Sequence, residues 1–82
     1  MMLDPQKIKN LRALKGWTLK ALADLAGVHY SLVHCVEYGK RNLTENVEQK
    51  LLKAFGIDNP QTLDRMLALY YILEQERKEV VS

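Results

Sequence analysis

Five side chains able to form hydrogen bonds or bind a metal are grouped within seven residues near the middle of the chain. They are His29, Tyr30, Ser31, His34 and Cys35. Imidazole and thiolate groups are ligands for zinc, and imidazole, phenol and hydroxyl groups also form hydrogen bonds with the edges of bases. A helix face that is only solvated usually exposes Lys and Glu, whereas this group contains neither. The group therefore favours contact with base edges in a major groove.

The spacing of these residues argues against a metal site. His29 and His34 are five residues apart, whereas two ligands on one helix face are three or four apart. Cys35 is the only cysteine, so an intrachain disulfide is excluded and a reducing cytosol is expected. No nucleophile, base and orienting group can be assembled from the sequence. We therefore expect no enzyme activity, no metal, no cofactor and no small-molecule ligand.

The segment 18–41 contains the elements that must position these side chains. Two amphipathic runs lie on either side of Gly27, the first with Leu19, Leu22, Ala23 and Ala26, the second with Val28, Leu32, Val33 and Val36. Two short helices joined by a glycine turn form a helix-turn-helix. The second helix is predicted to span 29–37 and to stop at Gly39. Its valines point inward, so the hydrogen-bonding group faces outward.

Cap and breaker residues divide the rest of the chain into three more helices. The predicted N-caps are Asp4 (before Pro5), Thr18, Thr44 and Asn59 (before Pro60), and the predicted helix ends are Gly16, Gly27 and Gly56. Trp17 is expected to join the first helix to the second. The sequence thus predicts an all-α fold with five helices.

The fifth helix has more apolar residues than one face needs. Its main stripe is predicted to contain Leu63, Met66, Leu67, Tyr70 and Leu73. Leu69 and Ile72 lie to the side and, with Tyr71, are candidates for a homodimer interface. The alternative is that the helix buries all of them against its own core. From Glu74 onward the sequence is charged and is expected to fray.

Positive charge is concentrated in the first half of the chain. Residues 1–43 contain seven basic and three acidic side chains, a net charge of +4, whereas residues 44–82 have a net charge of −2. This asymmetry is expected if phosphates approach the helix-turn-helix. No apolar run is long enough to span a bilayer, and no signal-peptide core is visible at the N-terminus. We expect a cytoplasmic protein, associated with the nucleoid through DNA.

Residues 8–57 resemble the Cro/cI-type, Xre-like helix-turn-helix family of phage repressors and bacterial regulators. The resemblance rests on Leu22-Ala23, Ala26-Gly27-Val28, Val33, Val36-Glu37 and Gly39-Lys40. It implies a five-helix, phage-repressor-like fold with the helix-turn-helix at helices 2 and 3 and a C-terminal helix for dimerisation. The domain organisation expected is a single domain, 1–82, comprising a helix-turn-helix core at 4–57, a C-terminal helix at 58–79 and a frayed tail at 80–82.

The resemblance also implies roles for individual residues. Base-contacting positions fall on Tyr30, Ser31 and Cys35, flanked by His29 and His34. Phosphate-contacting positions fall on Thr18 and Lys20 at the start of helix 2, and on Tyr38, Lys40 and Arg41. An arginine late in helix 1 commonly pairs with the glutamate that ends helix 3, here Arg12 with Glu37. The sequence departs from the family where Leu19 replaces the glutamine that commonly begins helix 2.

Three hypotheses of different classes follow. The first is a sequence-specific DNA-binding transcriptional regulator, a repressor, that binds an inverted-repeat operator in double-stranded DNA as a homodimer, with 29–37 in the major groove. The second is a protein-interaction module with weak or non-specific DNA binding. The third is a metal or redox role for His29, His34 and Cys35.

Overall fold

The computed structural model describes residues 2–81, with side chains described for residues 2–78. Within this range the chain forms five α-helices and no strand. Their bounds are α1 (Pro5–Lys15), α2 (Leu19–Ala26), α3 (Tyr30–Glu37), α4 (Glu45–Phe55) and α5 (Pro60–Val81). The predicted all-α, five-helix fold with a helix-turn-helix is confirmed.

Side-chain caps fix where four of the helices begin. The predicted N-caps accept hydrogen bonds from backbone N–H groups three residues ahead, Asp4 from Lys7 at 2.8 Å, Thr18 from Ala21 at 3.0 Å, Thr44 from Val47 at 3.2 Å and Asn59 from Thr62 at 2.8 Å. Each bond satisfies one backbone donor that the first turn of a helix leaves unpaired. All four predicted caps are confirmed.

The turn between α2 and α3 depends on Gly27. Its φ of 71° lies in the left-handed region, which a residue with a β-carbon adopts only at a cost of about 1 kcal/mol or more. The Gly27 N–H donates to the Asp24 carbonyl and the Val28 N–H donates to the Ala23 carbonyl. These two bonds form a Schellman motif, which ends α2 and turns the chain directly into α3.

A single apolar core joins the helices. Its fully buried members include Ile8 and Leu11 of α1, Leu22 of α2, Val33 of α3, and Leu51 and Phe55 of α4. α2 packs against both α3 and α4, and α1 packs against α3 and α5. The Trp17 ring stacks on Phe55 with centroids 5.8 Å apart. The sequence predicts that Trp17 joins α1 to α2 but does not identify Phe55 of α4 as its aromatic partner.

One ion pair crosses from α1 to the end of α3. Arg12 Nε donates to Glu37 Oε2 at 2.9 Å and Arg12 Nη2 donates to Glu37 Oε1 at 3.1 Å. The Glu37 side chain is fully buried and the Arg12 side chain is 25% exposed. The third guanidinium nitrogen, Nη1, donates to the Trp17 carbonyl at 3.1 Å. Arg12 thus connects α1, the residue before the α2 cap and the last turn of α3.

A second buried carboxylate was not expected from the sequence. Glu48 of α4 is 3% exposed, and its Oε2 accepts from the Leu3 N–H at 2.9 Å. Glu48 precedes Leu51, Leu52 and Phe55 by one or two helical turns, so the periodicity places it on the buried stripe. The contact attaches the N-terminal segment to α4.

α5 ends later than expected. It begins at Pro60, as the Asn59 cap predicts, and its helical backbone continues to Val81, two residues beyond the expected end at residue 79. The backbone is helical from Glu74 to residue 81, and Ser82 lies outside the described residues. The expected fraying of this end and of the tail at 80–82 stays a prediction. The segment after Glu74 contains no glycine or proline, and an Arg77–Glu74 ion pair of 3.0 Å supports it.

The apolar stripe of α5 is also shorter than predicted. Leu63 is buried and Met66, Leu67 and Tyr70 are half-buried, but Leu73 is 43% exposed. The second half of α5 still lies beside α1, because Leu73 lines a small cavity together with Leu14 of α1. Leu73 is therefore only partly covered by α1 and remains accessible to solvent.

Arg12 and Glu37 should contribute unequally to stability. Arg12→Ala leaves a fully buried carboxylate without its partner and should lower the free energy of unfolding by about 3 to 5 kcal/mol. Glu37→Ala should cost less, about 1 to 3 kcal/mol, because the guanidinium still reaches solvent and the Trp17 carbonyl. Urea denaturation followed by circular dichroism measures both values.

Lys20→Ala is the matched control for this prediction. It breaks a 3.0 Å ion pair with Asp24 in which both side chains are exposed, so its cost should stay below about 1 kcal/mol. If Arg12→Ala destabilised the chain no more than Lys20→Ala, the buried pair would have no structural importance.

Candidate nucleic-acid interface

The two faces of α3 differ sharply in burial. Val33, Val36 and Glu37 are buried against the core and fix the rotation of the helix. His29, Tyr30 and Ser31 are exposed at its beginning, and His34 and Cys35 are half-buried. Three of the five residues predicted for the outer face are thus freely accessible. The accessible part is the first turn of α3, which is also the part that enters a major groove in helix-turn-helix docking.

His29 is the N-cap of α3 and not its first helical residue, which corrects the expected bounds of 29–37. Its Nδ1 accepts from the Ser31 N–H at 3.1 Å and lies 2.7 Å from Ser31 Oγ. The His29 ring also contacts Tyr30, with centroids 5.5 Å apart. The backbone of His29 is extended because the imidazole supplies the hydrogen bond that a Ser, Thr, Asp or Asn cap normally supplies.

Tyr38 follows α3 and extends the surface toward α1. Its ring is 4.5 Å from the His34 ring, and the Lys9 ammonium lies 4.7 Å from its centroid. The side chain is 59% exposed, so its hydroxyl is free to reach a phosphate. Lys9 was not among the predicted site residues. In the sequence Lys9 is only one of several basic residues of the N-terminal half, and nothing distinguishes it from the others.

The loop after α3 carries two accessible cations. The side chains of Lys40 and Arg41 are exposed, and within residues 2–78 neither forms an ion pair. Their backbone N–H groups donate to the Cys35 carbonyl at 2.8 and 3.3 Å. These bonds hold the loop against the last turn of α3, so both positive charges stay close to the exposed surface of that helix.

The start of α2 is accessible but less positive than expected. Thr18 is exposed and its hydroxyl oxygen is engaged in capping Ala21. Lys20 Nζ lies 3.0 Å from Asp24 Oδ2, so a carboxylate already neutralises part of its charge. The backbone N–H groups of the first turn still point outward, and a helix N-terminus favours anions.

Other kinds of site find little support in the described part of the chain. No group of three His, Cys, Asp or Glu side chains among these residues is arranged to hold a metal. A groove of about 490 Å³ lies between α2 and α4, and none of the predicted site residues lines it. No described helix has the length and apolarity needed to cross a membrane.

The family model described as helix-turn-helix matches residues 8–58, more than half of the chain. The chain belongs to the Xre-like helix-turn-helix family. This is a DNA-binding, non-enzymatic family, so the chain is a DNA-binding helix-turn-helix protein. No curated protein and no solved structure matches it.

The Xre-like domain has an unusual recognition surface. Leu19 replaces the glutamine that commonly begins α2, and the outer face of α3 has no Arg, Lys, Gln or Asn. These four side chains are the ones best suited to bidentate contacts with bases. Cations are instead confined to the surroundings of α3, on the loop at Lys40 and Arg41 and on α1 at Lys9.

Phosphate contacts and base contacts should respond differently to substitution. Lys40→Ala and Arg41→Ala should weaken binding to all DNA sequences alike and flatten the slope of log affinity against log salt by about one unit per lost contact. Tyr30→Ala and Ser31→Ala should reduce the ratio of affinities for preferred and random DNA. Fluorescence anisotropy over a series of salt concentrations measures both quantities.

Lys53→Ala serves as the control, because it removes an equal charge from an exposed position near the end of α4. It should leave the salt slope nearly unchanged. Indistinguishable effects of Lys40→Ala and Tyr30→Ala would show that α3 does not read bases.

Proposed function

We propose that the chain is a sequence-specific transcriptional regulator, a repressor, that binds an inverted-repeat operator in double-stranded DNA as a homodimer. The observation that carries the proposal is the exposed, uncharged first turn of α3 beside two accessible cations. In this proposal α3 lies in the major groove, Lys40, Arg41 and the start of α2 contact phosphates, and the protein acts in the cytoplasm on the nucleoid.

Repression requires no further chemistry from the protein. A bound dimer excludes other proteins from the DNA that it covers, and affinity with sequence preference is sufficient for this effect. One helix-turn-helix contacts only a few base pairs, so coupling two half-sites through a dimer provides the missing affinity. In this proposal residues 1–82 form a single domain, in which the core at 4–57 reads the DNA. The C-terminal helix, α5, joins this copy to a second one.

The outer face of α5 is the surface that we assign to the dimer. Leu69 is 49% exposed and Ile72 is 52% exposed, on the side of the helix opposite the buried Leu63. Arg65 precedes Leu69 by four residues and Glu76 follows Ile72 by four, and both are exposed. The face is therefore apolar at its centre, with a cation at one end and an anion at the other.

This arrangement is complementary to itself in the antiparallel orientation. When two copies of α5 pack across a two-fold axis midway between Leu69 and Ile72, Leu69 of each copy faces Ile72 of the other. The same axis brings Arg65 of each copy to Glu76 of the other, because both pairs are centred on the same point of the sequence. A parallel arrangement would instead place like charges together.

Two more apolar residues lie near this face. Leu73 follows Leu69 by four residues, which places it about 40° from Leu69 around the helix, and its exposed part would enlarge the contact. Tyr71, also expected in the interface, lies about 100° around the helix from Ile72 and would reach only its edge.

A protein-interaction module with weak DNA binding is the second candidate. The absence of bidentate base-reading side chains from α3 and the exposed apolar face of α5 favour it. The two candidates differ in one measurable property, because only the DNA-binding regulator needs an affinity for preferred DNA well above that for random DNA.

Charge reversal on α5 tests the dimer and its orientation. Arg65→Glu and Glu76→Arg should each place like charges together at both ends of the interface and weaken dimerisation about tenfold or more. The double variant Arg65→Glu, Glu76→Arg should recover the dimer. Light scattering measures the oligomeric state, and Asp64→Lys, on α5 but off this face, is the control.

Selection of bound sites from random DNA at moderate salt completes the test. The wild-type protein and the double variant should select inverted repeats with half-sites about one helical turn apart, whereas the single variants should select one half-site. Selection of no sequence would favour the interaction module. A wild-type protein that stays monomeric at tens of micromolar, free and on DNA, would disprove the assigned role of α5.

A further inference from the structure

The hydrogen bonds of His29 determine which of its ring nitrogens carries the proton. A backbone N–H is only a donor, and the Ser31 N–H points at His29 Nδ1 from 3.1 Å. Nδ1 must therefore be the unprotonated, accepting nitrogen of the neutral ring. The proton of neutral imidazole then lies on Nε2. Because the His29 side chain is exposed, this Nε2–H is available as a donor to a partner outside the chain.

The same bonds also orient the Ser31 hydroxyl. Ser31 Oγ lies 2.7 Å from His29 Nδ1, which has no proton to give, so the hydroxyl donates its proton to the ring. The lone pairs of Oγ then face away from His29. Since Ser31 is exposed, its oxygen is available as an acceptor. Two side chains that could each donate or accept are thus reduced to one fixed donor and one fixed acceptor.

We propose that His29 and Ser31 together read base edges, with His29 Nε2–H donating to a purine N7 and Ser31 Oγ accepting from the exocyclic amino group of the same or the neighbouring base. Adenine presents such an acceptor and donor side by side in the major groove. The pair performs the task that Gln or Asn performs in bidentate readout, on a surface that contains neither. This inference rests on the proposed function, because it requires α3 to lie in the major groove.

The alternative role for His29 is that it only caps α3. Thr18 and Thr44 cap α2 and α4 through a hydroxyl oxygen, so His29→Thr uses a cap that this chain already employs twice. The variant removes the outward donor and retains a helix start. Ser31→Ala removes the acceptor and leaves the backbone N–H that His29 caps. Circular dichroism shows whether each variant retains its helices.

Base analogues in the DNA identify the partner atom of each side chain. In the best site selected by the wild-type protein, each purine is replaced in turn by its 7-deaza analogue, which lacks the N7 acceptor, and each adenine by purine, which lacks the amino group. One 7-deaza substitution should weaken wild-type binding about three- to tenfold, the effect of one hydrogen bond. It should have no effect on His29→Thr, whose affinity is already reduced by the same factor.

The substitutions that remove an amino group test Ser31 in the same way. Removal of one amino group should weaken wild-type binding by a similar factor and leave Ser31→Ala unaffected. If no 7-deaza substitution weakened the wild-type protein, or if the same one weakened wild type and His29→Thr equally, the pairing would be overturned. This failure is distinct from that of the proposed function, in which the wild-type protein selects no DNA sequence.

Discussion

The buried ion pair between Arg12 and Glu37 is the interaction on which the proposed DNA-binding surface depends most. Glu37 is the last residue of α3, and its carboxylate has no access to water. Arg12 satisfies it with two nitrogens and uses the third for the Trp17 carbonyl, directly before the α2 cap. One side chain thus sets the end of α3 relative to the start of α2. A buried pair of this kind restricts the relative orientation of the helices that it joins, because a buried carboxylate tolerates few alternative geometries.

The sequence predicted the parts of the fold that depend on local chemistry. The caps at Asp4, Thr18, Thr44 and Asn59 and the turn at Gly27 are each determined by a few neighbouring residues. Contacts between distant residues were not predictable in the same way. The buried carboxylate of Glu48 accepts a hydrogen bond from the Leu3 N–H, 45 residues away in sequence, and no local pattern indicates this partner. The helical backbone of α5 extends two residues beyond its expected end, because a charged segment without glycine or proline continues a helix, here with an Arg77–Glu74 pair.

In the candidate site, too, some features could be predicted from the sequence and others could not. Burial of Val33 and Val36 followed from periodicity, and of the five residues predicted to face outward the three at the start of α3 are exposed. The hydrogen bond that makes His29 a cap did not follow, since histidine is not among the preferred cap residues. It is also the feature that fixes a donor and an acceptor on the surface. In this candidate interface the positive charges lie outside α3, and the exposed hydrogen-bonding groups at the start of α3 carry no charge. In the proposed complex, the cations of the loop and α1 contact phosphates, and neutral groups at the start of α3 contact the bases.

Titration of the 15N-labelled chain with a short DNA duplex at low salt tests the central claim most directly, that the first turn of α3 and its flanking cations form the DNA-binding surface. We expect the largest amide chemical-shift changes at residues 18–20, 29–31 and 40–42, with little change at the end of α4, residues 53–56. Weaker changes on α5 would accompany dimerisation. Large changes elsewhere with residues 29–31 and 40–42 unaffected would contradict the assignment of this surface.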